Sequence, residues 1–193
     1  MPRSKVKLIP GYYYHIYNRA VGGCRLFNEE RNYKFFLSKI KKYLLPVSEV
    51  LAYCLMPNHY HLLVKIREDG FSDSMHKLAL SYVVSFNNTY QRKGHLFQGS
   101  FQRIHIEDLN YLLYLSQYLH LNPAKAKLEN EIGDWKHSSA REYIGEKPID
   151  FINPTVLLDL VSEDISSTRE EQHLAYHQSL TSWQKESLRK NRE

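Results

Sequence analysis

The stretch Pro57-Asn58-His59-Tyr60-His61-Leu62-Leu63-Val64 follows an apolar run, residues 50–56, that stops at the proline. Beyond it, residues 60–66 read as a second strand, so the two runs flanking Pro57 form an antiparallel pair. Successive side chains of a strand point to opposite faces, which puts His59 and His61 on one face roughly 6–7 Å apart. Two neutral imidazoles at that spacing can hold one divalent ion. A pair of surface or hydrogen-bonded histidines is the simpler reading unless other residues converge on them.

Upstream of this pair, residues 12–19 (Tyr-Tyr-Tyr-His-Ile-Tyr-Asn-Arg) are dense in aromatics and read as a strand, broken at Gly22-Gly23. Asn28 offers an N-cap, with Glu29 and Glu30 in the first turn, for a helix to about Tyr43. Its apolar positions Tyr33, Phe36, Leu37 and Ile40 fall at helical spacing and its lysines face out. Downstream, Ser72 or Ser74 can cap a helix running through Met75, Leu78, Tyr82, Phe86 and Tyr90. Residues 95–106 read as a further strand with Gly99 as a bulge or turn, and Glu107 and Asp108 open a helix over 109–121. The order β-α-β-β-α-β is that of an α+β, ferredoxin-like (RRM-like) antiparallel sheet with helices packed on it. After about residue 150 the chain turns polar and charged with scattered Leu, Tyr and Trp, which predicts a C-terminal helical extension, frayed at its end. The expected division is 1–150 for the main domain and 151–193 for the extension.

With 193 residues the chain can bury a real core, and its net charge of +5 and pI near 9.0 favour an anionic partner. Fifteen tyrosines supply flat aromatic surface of the kind that stacks on bases, although Tyr also suits half-buried strands. Cys24 and Cys54 lie in no zinc-binding spacing and read as reduced thiols. No apolar run nears the ~20 residues of a membrane span, and no apolar leader follows the basic N-terminus, so a soluble, cytoplasmic protein is expected.

The helix from Leu109 carries Tyr111, Tyr114, Tyr118 and Asn122. Tyr111, Tyr114 and Tyr118 share one face, and the plain reading of Tyr111 and Tyr114 is an amphipathic core stripe. Tyr118 differs because Asn122 lies one turn on, so that a phenol could reach a phosphate while an amide oxygen reaches a metal. Asn122 also precedes Pro123, and Asn before Pro is a good N-cap for a new helix. Both roles, cap and ligand, stay open.

Three motifs occur in order: Met56-Pro57-Asn58-His59-Tyr60-His61-Leu62-Leu63, Gly94-His95-Leu96-Phe97-Gln98-Gly99-Ser100-Phe101, and Tyr118-Leu119-His120-Leu121-Asn122-Pro123. Together they resemble the single-tyrosine HUH transposases of simple insertion sequences, and within these the domesticated branch called REP-associated tyrosine transposases. The resemblance covers about residues 10–145, including Trp135 and Ser138-Ser139. Lys125 stands where that branch usually has Arg, Lys127 where Gly is common, and Phe97 for a frequent Trp. Two extra residues separate Trp135 from the serine pair, and Tyr60 is a bulky middle residue for the His-hydrophobe-His motif.

The resemblance implies metal-dependent cleavage and strand transfer of single-stranded DNA. Tyr118 would be the nucleophile, leaving a 5′-phosphotyrosine and a free 3′-OH. A divalent ion, Mg²⁺ or Mn²⁺, would sit on His59, His61 and Asn122, with imidazole favouring Mn²⁺. Because the histidines must be neutral to bind it, activity is expected to fall below about pH 6. Arg19, Lys65, Arg103 and Lys125 are the candidate DNA-binding residues. The expected partner is single-stranded or hairpin DNA, since a base must leave the stack to enter such a site, and a homodimer is an open possibility beside a monomer. Rival readings are a non-catalytic nucleic-acid-binding protein on the same scaffold, a small metal hydrolase with Glu49 or Asp69 as base, and an inactive domesticated relative.

Overall fold

The computed structural model describes residues 6–162 and 166–190. Strand β1 (Tyr13–Arg19) leads through a 3₁₀ turn at Val21–Gly23 into helix α1 (Glu30–Tyr43). Strands β2 (Ser48–Met56) and β3 (His59–Ile66) follow, joined by the two-residue turn Pro57-Asn58. Helix α2 (Phe71–Thr89), strand β4 (Gln102–Ile106) and helix α3 (Leu109–Lys125) come next, then the short α4 (Ala140–Tyr143), α5 (Thr155–Val161) and α6 (Arg169–Lys190). The sheet order is β2-β3-β1-β4, with β1 antiparallel to both β3 and β4. This is the ferredoxin-like α+β arrangement expected from the strand and helix order.

Several local expectations change. Glu29, not Asn28, caps α1, because the Asn32 side chain returns a bond to the Glu29 backbone and closes a capping box. Neither Ser72 nor Ser74 caps α2; Gly70 does, at φ 87°, a left-handed conformation that glycine adopts without strain. Only the last five residues of 95–106 join the sheet. Before them Phe97 makes an isolated bridge to Ala20, and the Gly99 carbonyl accepts from Asn18 Nδ2 at 3.0 Å. Helix α3 runs through Pro123 to Lys125, so Asn122 is not a helix cap. The 17 residues of α3 include Pro123 in the last turn, where the absent N–H leaves only the Leu119 carbonyl without a helical donor. The frayed end expected for the extension lies outside the described residues.

The chain forms two compact units. The first takes residues up to Val50 together with Leu55–Glu107. Its core lies between one sheet face and α1 and α2: Tyr14, Ile16, Tyr60, Leu62 and Val64 from the strands, Phe36 and Ile40 from α1, Leu78 and Tyr82 from α2, all at most 1% exposed. Tyr60 fits as a bulky residue because its ring points to this face, 5.0 Å from Phe36. The even-numbered residues of β3 are therefore spent on the core, and the odd-numbered ones, including His59 and His61, face the other way.

The second unit takes Leu51–Cys54 and the residues from Asp108 on. Within this unit α3 packs with α5 and α6. Leu112, Leu119, Leu157, Leu158, Tyr176 and Leu180 are fully buried there. A buried polar chain runs through it. Ser116 Oγ and His120 Nδ1 lie 2.8 and 2.9 Å from the Tyr176 hydroxyl, and His120 Nε2 lies 2.8 Å from Ser139 Oγ, which accepts from the Tyr53 N–H. Burial holds the His120 imidazole neutral, with its pKa lowered to about 3. No helix among the described residues is long and apolar enough to cross a membrane.

Candidate functional site

In the first unit the sheet register decides what meets the histidine pair. Arg19 stands opposite His59, Tyr17 opposite His61 and Tyr13 opposite Lys65, so all six share the face away from the helices. His59 and His61 have ring centroids 5.0 Å apart and are both half-buried. Asn58 Oδ1 lies 2.7 Å from His59 Nδ1. An amide oxygen only accepts, so His59 carries its hydrogen on Nδ1 and keeps a lone pair on Nε2. His15, the next residue on the same face of β1, puts Nε2 2.9 Å from His61 Nδ1. Its other nitrogen, Nδ1, is buried with no hydrogen-bond partner. The rings of His15, Tyr17 and His61 lie nearly parallel, at interplanar angles of 22° to 29°.

Charge at this cluster is disfavoured. Burial lowers the His15 pKa to about 4. Burial, then the neighbouring His15 and His59, holds His61 well below the usual imidazole range. Burial, then the Arg19 guanidinium, lowers His59. Three neutral imidazoles is the protonation state that metal binding requires. No group of three or more His, Cys, Asp or Glu side chains suited to a metal ion occurs among the described residues. The Nε2 atoms of His59 and His61 are the ones that could hold a metal here, and further ligands would have to be amide, water or phosphate oxygens. That composition suits Mn²⁺ and tolerates Mg²⁺.

A cavity of about 300 Å³ is lined by Arg19, Ala20, Gly22, Gly23, Asn58 and Gln98. Lys65 sits farther along the same strand face, its Nζ 5.4 Å from the Tyr13 ring. Arg103 does not join this face. It stands opposite the fully buried Ile16, on the helix side of the sheet, with its guanidinium carbon 5.7 Å from the Phe101 ring.

In the second unit Tyr118 projects from α3 with 36% of its surface exposed. Lys125 Nζ lies 4.3 Å from the Tyr118 ring centroid and 5.0 Å from that of Trp183 on α6. Asn122, on the turn after Tyr118, is 9% exposed, and its Nδ2 is buried with no hydrogen-bond partner. Tyr111 and Tyr114, read from the sequence as core, are 41% and 50% exposed, and Leu112, Leu115 and Leu119 fill the core instead.

Two functional candidates, Asn58 and Trp183, were outside the sequence reading of the site. His15 reads from the sequence as a residue that could neighbour the histidine strand across the sheet, with nothing in the chain to fix the pairing, and the structure puts its Nε2 2.9 Å from His61 Nδ1. Asn58 adjoins His59, and its reach back to Nδ1 follows from the tight turn. Trp183 follows Tyr176 and Leu180 at i+7 and i+3, a helical stripe visible in the extension.

A family model described as "Transposase IS200 like" matches residues 11–122. No curated protein matches the sequence. Among solved structures, that of a REP-associated tyrosine transposase bound to a REP hairpin is similar with a TM-score of 0.65 at 18% identity, covering 87% of this chain and 95% of that one. A bacterial tRNA(His) guanylyltransferase-like protein in complex with GTP has a TM-score of 0.43 at 14% identity over 68% and 76% of the two chains. The tRNA(His) guanylyltransferase of Saccharomyces cerevisiae has 0.46 at 11% over 88% and 79%.

Proposed function

The chain belongs to the IS200-like transposases, and from that premise we propose that it cleaves and rejoins single-stranded DNA through a covalent 5′-phosphotyrosine at Tyr118. The observation that carries the reading is the state of the histidine pair. Burial favours the neutral form of both rings, and both Nδ1 atoms are engaged, by Asn58 of the turn and by His15 of β1, so that Nε2 of each is the atom left for a ligand.

The chemistry balances without ATP or water. The Tyr118 phenol oxygen forms a bond to the scissile phosphorus, the bond from phosphorus to the 3′-oxygen breaks, and the proton lost by the phenol is matched by the one the 3′-oxygen gains. Reversal of the same step rejoins a strand, because the phosphotyrosine ester keeps the bond energy and phenolate is a good leaving group. His59 and His61 would hold a divalent ion, its other positions filled by water or phosphate oxygens. That ion, Mn²⁺ or Mg²⁺, supplies polarisation of the scissile phosphate when bound. Arg19 and Lys65, on the histidine face, hold the strand's phosphates, and Lys125 serves the phosphate at Tyr118. Arg103, on the other face, has no part in this site. The DNA is single-stranded or hairpin in form, the protein acts in the cytoplasm where that DNA is exposed, and two copies associate if the tyrosine of one serves the histidines of the other.

The test is a denaturing gel of end-labelled hairpin and single-stranded oligonucleotides incubated with protein and Mn²⁺ or Mg²⁺. A covalent protein–DNA band is expected, absent in Tyr118→Phe and in His59→Ala and His61→Ala. A band that survives Tyr118→Phe would overturn the assignment of the nucleophile. Cleavage with no adduct would indicate a hydrolase, and binding with neither a non-catalytic nucleic-acid-binding protein.

A further inference from the structure

Helix α3 has an unusual outward face. Its exposed side carries Tyr111, Tyr114 and Tyr118 at i, i+3 and i+7, and these are 41%, 50% and 36% exposed. The rings are organised. Tyr111 and Tyr114 lie 6.1 Å apart at 18°, Trp183 of α6 packs 4.7 Å from Tyr114, and Trp183 is 6.5 Å from Tyr118. Four aromatic rings thus form a row that ends at Lys125, whose ammonium sits over the last two. Leaving so much aromatic surface in water is costly for a helix that already buries Leu112, Leu115 and Leu119 on its other side.

We infer that this row is a stacking platform for the unpaired nucleotides that flank the scissile bond. The inference rests on the reading of Tyr118 as the nucleophile for single-stranded DNA, and it adds a binding surface to it. Base–aromatic stacking tolerates any base, because every base has a π-face. The charge on α3 fits a polyanion: among residues 109–125 Lys125 is the single charged side chain and no carboxylate occurs. Lys125 spans two ring faces, where a phosphate between two stacked bases would meet it. Lys125 and Trp183 lie outside the residues matched by the family model, so α6 of the extension contributes to the platform in its own right. Tyr114 and Tyr111 are the residues to alter, because neither is the nucleophile and both are exposed.

Fluorescence anisotropy of labelled (dT)20 tests this, with metal present and Tyr118→Phe as the background to prevent cleavage. Tyr111→Ala/Tyr114→Ala is expected to bind at least about fivefold more weakly, with Tyr111→Phe/Tyr114→Phe within about twofold of the parent. On an oligomer of abasic sites the parent and the Ala pair should bind alike, since no base is left to stack. Equal binding of (dT)20 by the Ala pair overturns the platform. So does an Ala pair whose loss is the same on the abasic oligomer, or light scattering in which the Ala pair only dissociates a dimer. If the parent binds no single-stranded DNA while the folded protein is intact, the reading of function fails with it. If Tyr118 still forms its adduct and the Ala pair binds normally, the platform alone fails.

Discussion

Nε2 of His15 stands 2.9 Å from Nδ1 of His61, so a residue of β1 fixes the ring of one 46 positions later on β3. Only one arrangement of hydrogens leaves Nε2 of His61 free to ligate: His61 donates from Nδ1 and His15 accepts at Nε2. His15 then carries its own hydrogen on the buried, unpartnered Nδ1. A neutral His15 is what burial enforces.

His15→Ala is therefore expected to weaken Mn²⁺ binding about 10–100-fold, the usual loss for an outer partner of a ligating histidine. Isothermal titration of the purified protein checks it. An unchanged affinity would reduce the contact to packing.

The pH edge should lie lower than the value near 6 expected from ordinary imidazoles. Burial depresses His15, His59 and His61, so each stays neutral as pH falls below 6.5. Mn²⁺ titrations at stepped pH are expected to keep at least half of the neutral-pH affinity at pH 6.

Stability has the opposite exposure to acid. His15 and His120 have folded pKa values, about 4 and about 3, below that of the unfolded chain. As pH falls through 6.5 the unfolded state takes up protons first, so stability declines from there and levels off only below the folded values. Together the two shifts amount to several kcal/mol, on the scale of about 1.4 kcal/mol per pKa unit. Urea melts at pH 7 and pH 4.5 should show the drop, and His120→Gln should shrink it.

Tyr176→Phe removes a hydroxyl that both Ser116 and His120 reach, in a site with no water access. A loss of about 1–3 kcal/mol is expected from the orphaned partners, with chemical denaturation as the measure.

Lys127 holds φ at 56°, just past the end of α3, where the helix C-terminus turns left-handed. Lys127→Gly should raise the unfolding free energy by roughly 0.5–1 kcal/mol, since glycine pays no Cβ penalty at that angle.

Much of this was legible in the chain. The alternation in 59–66 and the breaker at Pro57-Asn58 determine strand, turn and histidine face, because period 2 admits one outcome when Tyr60, Leu62 and Val64 claim the core. Helix α3 was harder. Its tyrosines and its leucines have the same helical period, so spacing cannot say which stripe faces inward, and the answer came from packing against α5 and α6. Asn122 was ambiguous because Asn-Pro suits a helix start as well as an interior turn. The Asn28 cap failed because the capping box closes one residue later, at Glu29, and the Ser72 and Ser74 caps failed because α2 already starts at Phe71, after Gly70. His15 could be placed only as a possible neighbour of the histidine strand, because its partner is set by register across a sheet, which no local pattern states.

The turn at Pro57-Asn58 has a consequence for how the site assembles during folding. His59, His61 and the Asn58 that orients His59 belong to one hairpin, which closes with little chain to bring together and on a microsecond scale. The partner of His61 arrives only when β1, far earlier in the chain, docks beside β3. Under the proposed assignment both ligands thus lie in one short hairpin, while the partner that orients His61 comes from a strand distant in the chain.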